Sequence, residues 1–516
     1  MRRSLTAALV VLSMAGSVLL VPGSPASAHP TVVDPLADVT DPALARATDA
    51  LEGTAATAEA PPAGAKTSDA PAADEAPTLA LRDLFLALPR LDATERRAAQ
   101  GLLARPTDGS RDEYDDGYTV PAKRACARRI CIHWVGRTKD APPNRRWVSR
   151  SLRVMKNVWA EEVGRLGYRR PVTDGRRGGN AKFDVYLKDV GSEGFYGYCV
   201  PERRKPGHRW VASGYCVLDD DFARSQFGAR PRQSLRVTAA HEFFHAIQFG
   251  YDFREDPWLL ESTATWIEET FADRVDDNRR YLRYGTVRRP RVPLDDFAND
   301  RYAHYGTWAW WEYLTDRHGD GLVRAVWRQA DTVGGAPGRH SVEALETVLD
   351  RHNGLARALT SYAVANLAPA DTYPEGRSWP AARVGRVVTL DRSRHGASRQ
   401  FRIDHLAARH VVFMPTRDLR GYRLRLTVDA PRQRATARVI VVRTDGRRAR
   451  HVVHLDRRGD GALTVRFDRR AVAQVVVTLV NTSTRYRCRR HTMFACGGRP
   501  RDDDARFQVA ARAVGR

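Results

Sequence analysis

The chain has 516 residues, 42% of them hydrophobic, and a net charge of +23. That is too long and too apolar for a disordered tail or a small disulfide-stapled peptide, and it suits two domains with appendages. The positive charge is mostly arginine, scattered over the whole length without a nucleic-acid-binding motif, which argues against nucleic acid as the partner.

Arg2 and Arg3 precede an apolar run to about Val21 and the small residues Ala26-Ser-Ala28. This is the pattern of a signal peptide over 1–28, so a secreted protein is expected. No later stretch is apolar for long enough to span a membrane. Six cysteines form three close pairs: Cys126 with Cys131, Cys199 with Cys216, Cys488 with Cys496. An even count in an exported chain predicts disulfides, with pairing in sequence order the simplest of many connectivities. A zinc site using Cys126, Cys131 and His133 is the competing use, and it lacks a fourth ligand.

Residues 29–77 are Ala, Pro, Thr, Asp and Glu with few large apolar residues, so this acidic stretch is expected to be disordered. Over 78–117, Leu79 to Ala104 fits two short helices divided by Pro89, serving as a pro-segment or as an N-terminal cap. The main domain is expected over 118–383. Arg129–Val135 reads as a strand. Asn144 can cap a helix carrying Val148, Leu152, Met155, Trp159, Val163 and Leu166, ending at Gly167. Lys182–Leu187 is a second strand, Gly194–Tyr198 a loop, and Trp210–Leu218 a third strand, expected at the sheet edge where an extended peptide lies. The run Asp219–Asp221 reads first as a solvated strand end and second as a calcium site.

Next comes Val237–Gln248, with H-E-F-F-H at its centre. His241 and His245, four apart on a helix, share one face and can bind one zinc ion, with Glu242 as general base. A core helix with two hydrogen-bonded histidines is the plainer alternative. Asp256 and Pro257 start a further helix through Glu269. On it Glu261 is the expected third ligand, with the small Ala264 and Thr265 on the same face. Asp252, Glu255, Glu268 and Glu269 compete; Glu268, two turns from Glu261, is expected instead to orient a histidine. Helices follow at about Gly306–Arg317 and within 321–367. Over 384–516 short period-two strands predict a β-sandwich accessory domain, either a structural support or a module for substrate or an anionic cell-surface polymer. The order of elements is α+β.

His241-Glu-Phe-Phe-His245 with Trp258-Leu-Leu-Glu261-Ser-Thr-Ala-Thr-Trp-Ile-Glu268 resembles the gluzincin metallopeptidases, the peptidase MA-like clan. In more detail it is similar to a family of secreted bacterial metalloproteases, through Tyr196-Gly-Tyr-Cys199, Asp219–Asp221 and Tyr305-Gly-Thr-Trp308. The resemblance covers about Tyr118 to Arg328 and extends loosely to Asp404-His-Leu-Ala-Ala. It implies a mixed sheet, the metal-binding helix and a helical lower half. It also implies one catalytic zinc on His241, His245 and Glu261, and hydrolysis of protein or peptide substrates. Such enzymes often place a tyrosine or histidine after the third ligand as oxyanion donor; Tyr305 is the first choice, ahead of Tyr302 and His304. Leu260 stands where many members have Asn, and Thr265 where thermolysin-like members have Asp. A zinc hydrolase of another substrate and a non-catalytic binding protein on a degenerate protease fold are the rival expectations.

Overall fold

Three short strands buried on both faces, with a more exposed strand on either side, build the first sheet. β1 (Lys123–Cys126), β2 (Ile130–Trp134), β3 (Phe183–Lys188), β4 (Gly197–Arg204) and β5 (Ala212–Asp219) lie in the order β1-β2-β3-β5-β4. β2, β3 and β5 run parallel, while β1 and β4 are antiparallel edges. The structure, a computed structural model, describes residues 41–52, 77–109, 117–297 and 302–515, so the signal-peptide reading lies outside the described residues.

Two strands differ from expectation. Tyr198 and Gly197, read as loop, begin β4, and β5, read as the edge, is interior with β4 outside it. Pro201 and the charged run Glu202–Arg204 disguise β4, and both are tolerated on an edge strand, where one row of backbone groups needs no strand partner. The strand end at Asp219 and Asp220 is buried rather than solvated. Asp219 accepts the backbone N–H groups of Gly191 at 2.6 Å and Phe222 at 2.5 Å, so it braces a turn.

At the N-terminal side stand α1 (Pro42–Leu51), α2 (Pro77–Ala87) and α3 (Ala93–Leu102). Finding α1 corrects the expectation of disorder over 29–77 for this stretch. Asp41 caps it by accepting the N–H of Ala43, Pro42 takes the first helical position, and Ala43, Leu44 and Ala47 are buried. Then come α4 (Arg145–Trp159), capped by Asn144 as expected and continued by a π-helical turn over Ala160–Arg165, and α5 (Arg224–Phe227). α6 (Pro231–Asp252) and α7 (Pro257–Ala272) carry the H-E-F-F-H and Glu261 segments. Every residue from Val237 to Asp252 is buried, as fits a helix enclosed on all sides. Asp256 precedes α7, but its carboxylate accepts from Ser341 Oγ at 2.5 Å instead of capping the helix. The lower half is α8 (Ala303–Gly306), α9 (Trp308–His318), α10 (Gly321–Ala330), α11 (Ser341–Leu349) and α12 (Leu355–Ala365).

The C-terminal region is strand-rich. β6 (Arg386–Leu390), β7 (Gly396–Ile403), β8 (Ala407–Pro415), β9 (Arg423–Asp429), β10 (Ala435–Arg443), β11 (Arg448–Val453), β12 (Asp460–Arg466) and β13 (Val472–Asn481) are followed by β14 (Tyr486–Arg487), β15 (Arg499–Pro500) and β16 (Ala505–Val514). They form sheets ordered β11-β10-β13-β8-β6 and β12-β9-β16-β7, plus the β14–β15 pair. Val439, Val441, Val475 and Val477 of the first sheet share a core with Leu424, Leu426, Phe507 and Val509 of the second. The other face of the first sheet, at Val412, Ile440 and Val476, packs on Val364 and Leu367. The strands therefore lie against the helical half, and the described residues belong to one compact unit. The molecule is thus mixed α+β with a C-terminal strand-rich region.

Disulfides join Cys126 to Cys131, Cys199 to Cys216 and Cys488 to Cys496, which is compatible with export. The first bridge removes the thiolates that the Cys126, Cys131 and His133 zinc alternative needs, and His133 Nε2 instead faces Asp184 Oδ1 at 2.7 Å. Among the described residues, no helix is long and apolar enough to cross a membrane.

Candidate metal centre

α7 returns antiparallel along α6. Arg236 reaches the Phe271 carbonyl, His241 meets Glu268, and Gln248 meets Thr263, so early residues of one helix face late residues of the other. That register sets Glu261 between the two histidines. His241 Nε2 is 3.3 Å from Glu261 Oε2, and His245 Nε2 is 3.6 Å from Glu261 Oε1. One donor atom from each of the three residues lies within 4.8 Å of the others, and all three residues are buried.

The backs of the rings are held. His241 Nδ1 lies 2.7 Å from Glu268 Oε1, and His245 Nδ1 lies 2.7 Å from Gln248 Oε1. Each contact turns the ring's Nε2 toward Glu261. Gln248 is itself fixed, donating its amide to the Leu260 carbonyl at 2.9 Å and to Thr263 Oγ1 at 3.1 Å. Sequence reasoning missed Gln248; its signal is a polar side chain three residues after His245 on a helix with no exposed face. Thr265 turns its hydroxyl to its own helix, donating to the Glu261 carbonyl at 2.9 Å.

Whether a metal fits is a question of the donor set. His245 Nε2 and Glu261 Oε1 are buried and lack any hydrogen-bond partner, which is costly for polar atoms unless something else satisfies them. Tetrahedral zinc with ligands near 2.0–2.1 Å sets neighbouring donors about 3.3 Å apart. The separations of 3.3 and 3.6 Å agree with that spacing. Two imidazoles and one carboxylate also make a donor set that zinc accepts, so the residues fit the ion.

The competing carboxylates go elsewhere. Asp252 accepts the N–H of Arg254 at 2.8 Å, Glu255 the N–H of Ser341 at 3.0 Å, and Glu269 the side-chain amide of Asn278 at 2.9 Å. Glu268 sits behind His241 rather than beside Nε2.

Burial governs the charges. It pushes the Glu242 carboxyl up to about 8, against the pull of His241, and it lowers the imidazoles of His245 and His304 to about 4. Burial also opposes the charge on Glu261, but the imidazoles of His245, His241 and His304 hold its carboxyl below the usual range. Glu242 Oε2 accepts a hydrogen bond from Thr78 Oγ1 at 3.0 Å. Of the three oxyanion candidates, Tyr305 has its ring 6.5 Å from that of His241, and His304 packs 4.1 Å from Tyr305. Tyr302 stands with Tyr281 and Tyr284 in an aromatic cluster behind Tyr305. Gly306 holds this corner together: a Cβ there would come within 2.8 Å of Gly285 and 2.5 Å of the Tyr281 carbonyl.

The chain matches no protein-family model, and no curated protein matches it.

Proposed function

We propose that the chain is a secreted zinc-dependent endopeptidase of gluzincin type. The single observation behind this reading is the convergence of His241 Nε2, His245 Nε2 and the Glu261 carboxylate in a buried centre, with Glu242 on the same helix. His241, His245 and Glu261 would hold the metal, with Glu268 and Gln248 keeping the two rings in the tautomer that turns Nε2 inward. Zinc, when bound, supplies a Lewis acid that polarises a carbonyl and acidifies water. Glu242 takes the proton of the attacking water on its carboxylate and hands it to the departing amine. Tyr305, with His304 next to it, supplies a donor toward the developing oxyanion. The outward backbone groups of β4 offer an extended substrate main-chain hydrogen bonds.

The test combines metal content with turnover on denatured protein, measured on the full chain and on limited digests of it. We expect about one zinc per chain, lost in His241→Ala and Glu261→Ala. Glu242→Gln should keep the zinc and lose about 10²–10⁴-fold in rate. Zinc binding with no proteolysis in any form would favour another zinc hydrolase or a binding protein. Equal hydrolysis by wild type and Glu242→Gln would remove the general-base role.

A further inference from the structure

The centre is closed. His241, Glu242, His245, Glu261, His304 and Tyr305 are each no more than 2% exposed. Part of the closure comes from far away in sequence. Thr78, in the first turn of α2, is fully buried and bridges two groups that catalysis would need. Its hydroxyl donates to Glu242 Oε2 at 3.0 Å and accepts the backbone N–H of Cys199 at 2.9 Å. Cys199 lies on β4, opposite Cys216 of β5, and its N–H points away from β5 toward the open side of the sheet. That outward N–H is the group a substrate strand would use, and Glu242 is the proposed base. One side chain of the same molecule holds both.

The rest of α2 is anchored over this position. Arg82 Nη1 donates to the Glu255 carbonyl at 2.9 Å, and Phe85 meets Phe253 edge to face at 5.3 Å. α1 packs on α2, and Asp41 ties it to the Arg90 guanidinium and to Glu95, which accepts the Asp41 N–H. After α3 the character changes. Arg105 is buried among Asp174, Asp184 and Glu202 of the main body, and Tyr215 donates to the Ala104 carbonyl at 2.6 Å. Withdrawing Arg105 would strand three buried carboxylates, so this part of the segment belongs to the permanent fold. The division falls between α2 and Arg105, and the turn Leu88–Asp92 there exposes Pro89 and Arg90.

We infer that α1 and α2 form an autoinhibitory segment, with the Thr78 hydroxyl occupying the base Glu242 and the sheet-edge N–H of Cys199 until the segment is displaced. This rests on the peptidase reading for what is inhibited. It accounts for a pro-segment and a cap in one stretch: α1 and α2 block the site, and Arg105 stays.

The test uses the full zinc-loaded chain with a site-specific protease sequence inserted between Pro89 and Arg90, compared before and after cutting. Two readouts are followed: hydrolysis of denatured casein, and deuterium uptake at the Cys199 amide, which needs neither metal nor turnover. Both should rise at least about tenfold on cutting, since access is then no longer set by a rare local opening. Thr78→Val, which keeps shape and removes the hydroxyl, should raise both about fivefold without cutting, the effect of one hydrogen bond of about 1 kcal/mol. Cys199 uptake unchanged after cutting, or measurable hydrolysis that is equal in cut and uncut chains, overturns the inference. Faster uptake with no hydrolysis by either form leaves the segment as the cover of this site and sinks the peptidase reading instead.

Discussion

Gln248 and His245 face each other within one turn of α6, the amide oxygen 2.7 Å from Nδ1. The contact makes Nδ1 the protonated nitrogen and leaves the Nε2 lone pair, beside the Glu261 carboxylate, for a metal. Because Leu260 and Thr263 hold the Gln248 amide in turn, the orientation is imposed by α7 as much as by α6.

Gln248→Leu should therefore weaken zinc binding about 10–100-fold while the helix stays folded, since the side-chain volume is nearly kept. Competition against a chromophoric chelator measures it, with circular dichroism as the control. Gln248→Glu keeps an acceptor for Nδ1 and should lose less. Wild-type affinity in Gln248→Leu would mean that packing alone orients the ring.

His241, His245, Glu242 and Glu261 are legible in the sequence because helical spacing places the first three and a short return places the fourth. Gln248 is not, because nothing in linear order tells which polar residue of an enclosed helix meets a ring nitrogen. Thr78 is less legible still, lying 164 residues from Glu242, and only the folded sheet edge brings them together. β4 is not legible because Pro201 and its charged neighbours carry no strand signal, which makes β5 look like the edge. α1 is masked by its Ala-rich acidic surroundings despite a good cap at Asp41. The C-terminal strands are legible from their alternation, whereas their seat on Val364 and Leu367 belongs to tertiary packing.

His405, in the Asp404-His-Leu-Ala-Ala stretch, ties the two halves of the molecule. Its Nε2 is 2.8 Å from Asp295 Oδ1, its Nδ1 pairs with Asp503, and Tyr486 and Phe494 stand edge-on to its ring. Burial opposes the charge, but the two aspartates carry the imidazolium up to about 10. A folded value above the unfolded one stabilises fully below about pH 6.5, and that stabilisation is lost as pH rises to about 10. Over that window the loss is on the order of 4 kcal/mol. Urea unfolding at pH 6.5 and 10 should show it, and His405→Gln should start less stable and lose less. Parallel slopes for the two proteins would take His405 out of the alkaline loss.

Arg105 is the clearest case of a buried charge that cannot be removed alone. Its Nη2 meets Asp174 at 2.6 Å, its Nη1 Asp184 at 2.8 Å and its Nε Glu202 at 2.6 Å, all with side chains at most 4% exposed. Arg105→Met should destabilise by about 3–5 kcal/mol, because among the described residues the carboxylates would keep little beyond His133, Arg177 and the Gly178 N–H as partners. Arg105→Lys should recover a minor part, since one ammonium cannot point at three carboxylates as a guanidinium fork does. Urea unfolding at pH 7 gives both values. A loss below about 1 kcal/mol in Arg105→Met would show that the chain after α3 is as dispensable as α1 and α2 are argued to be, and the boundary before Arg105 would then have to move.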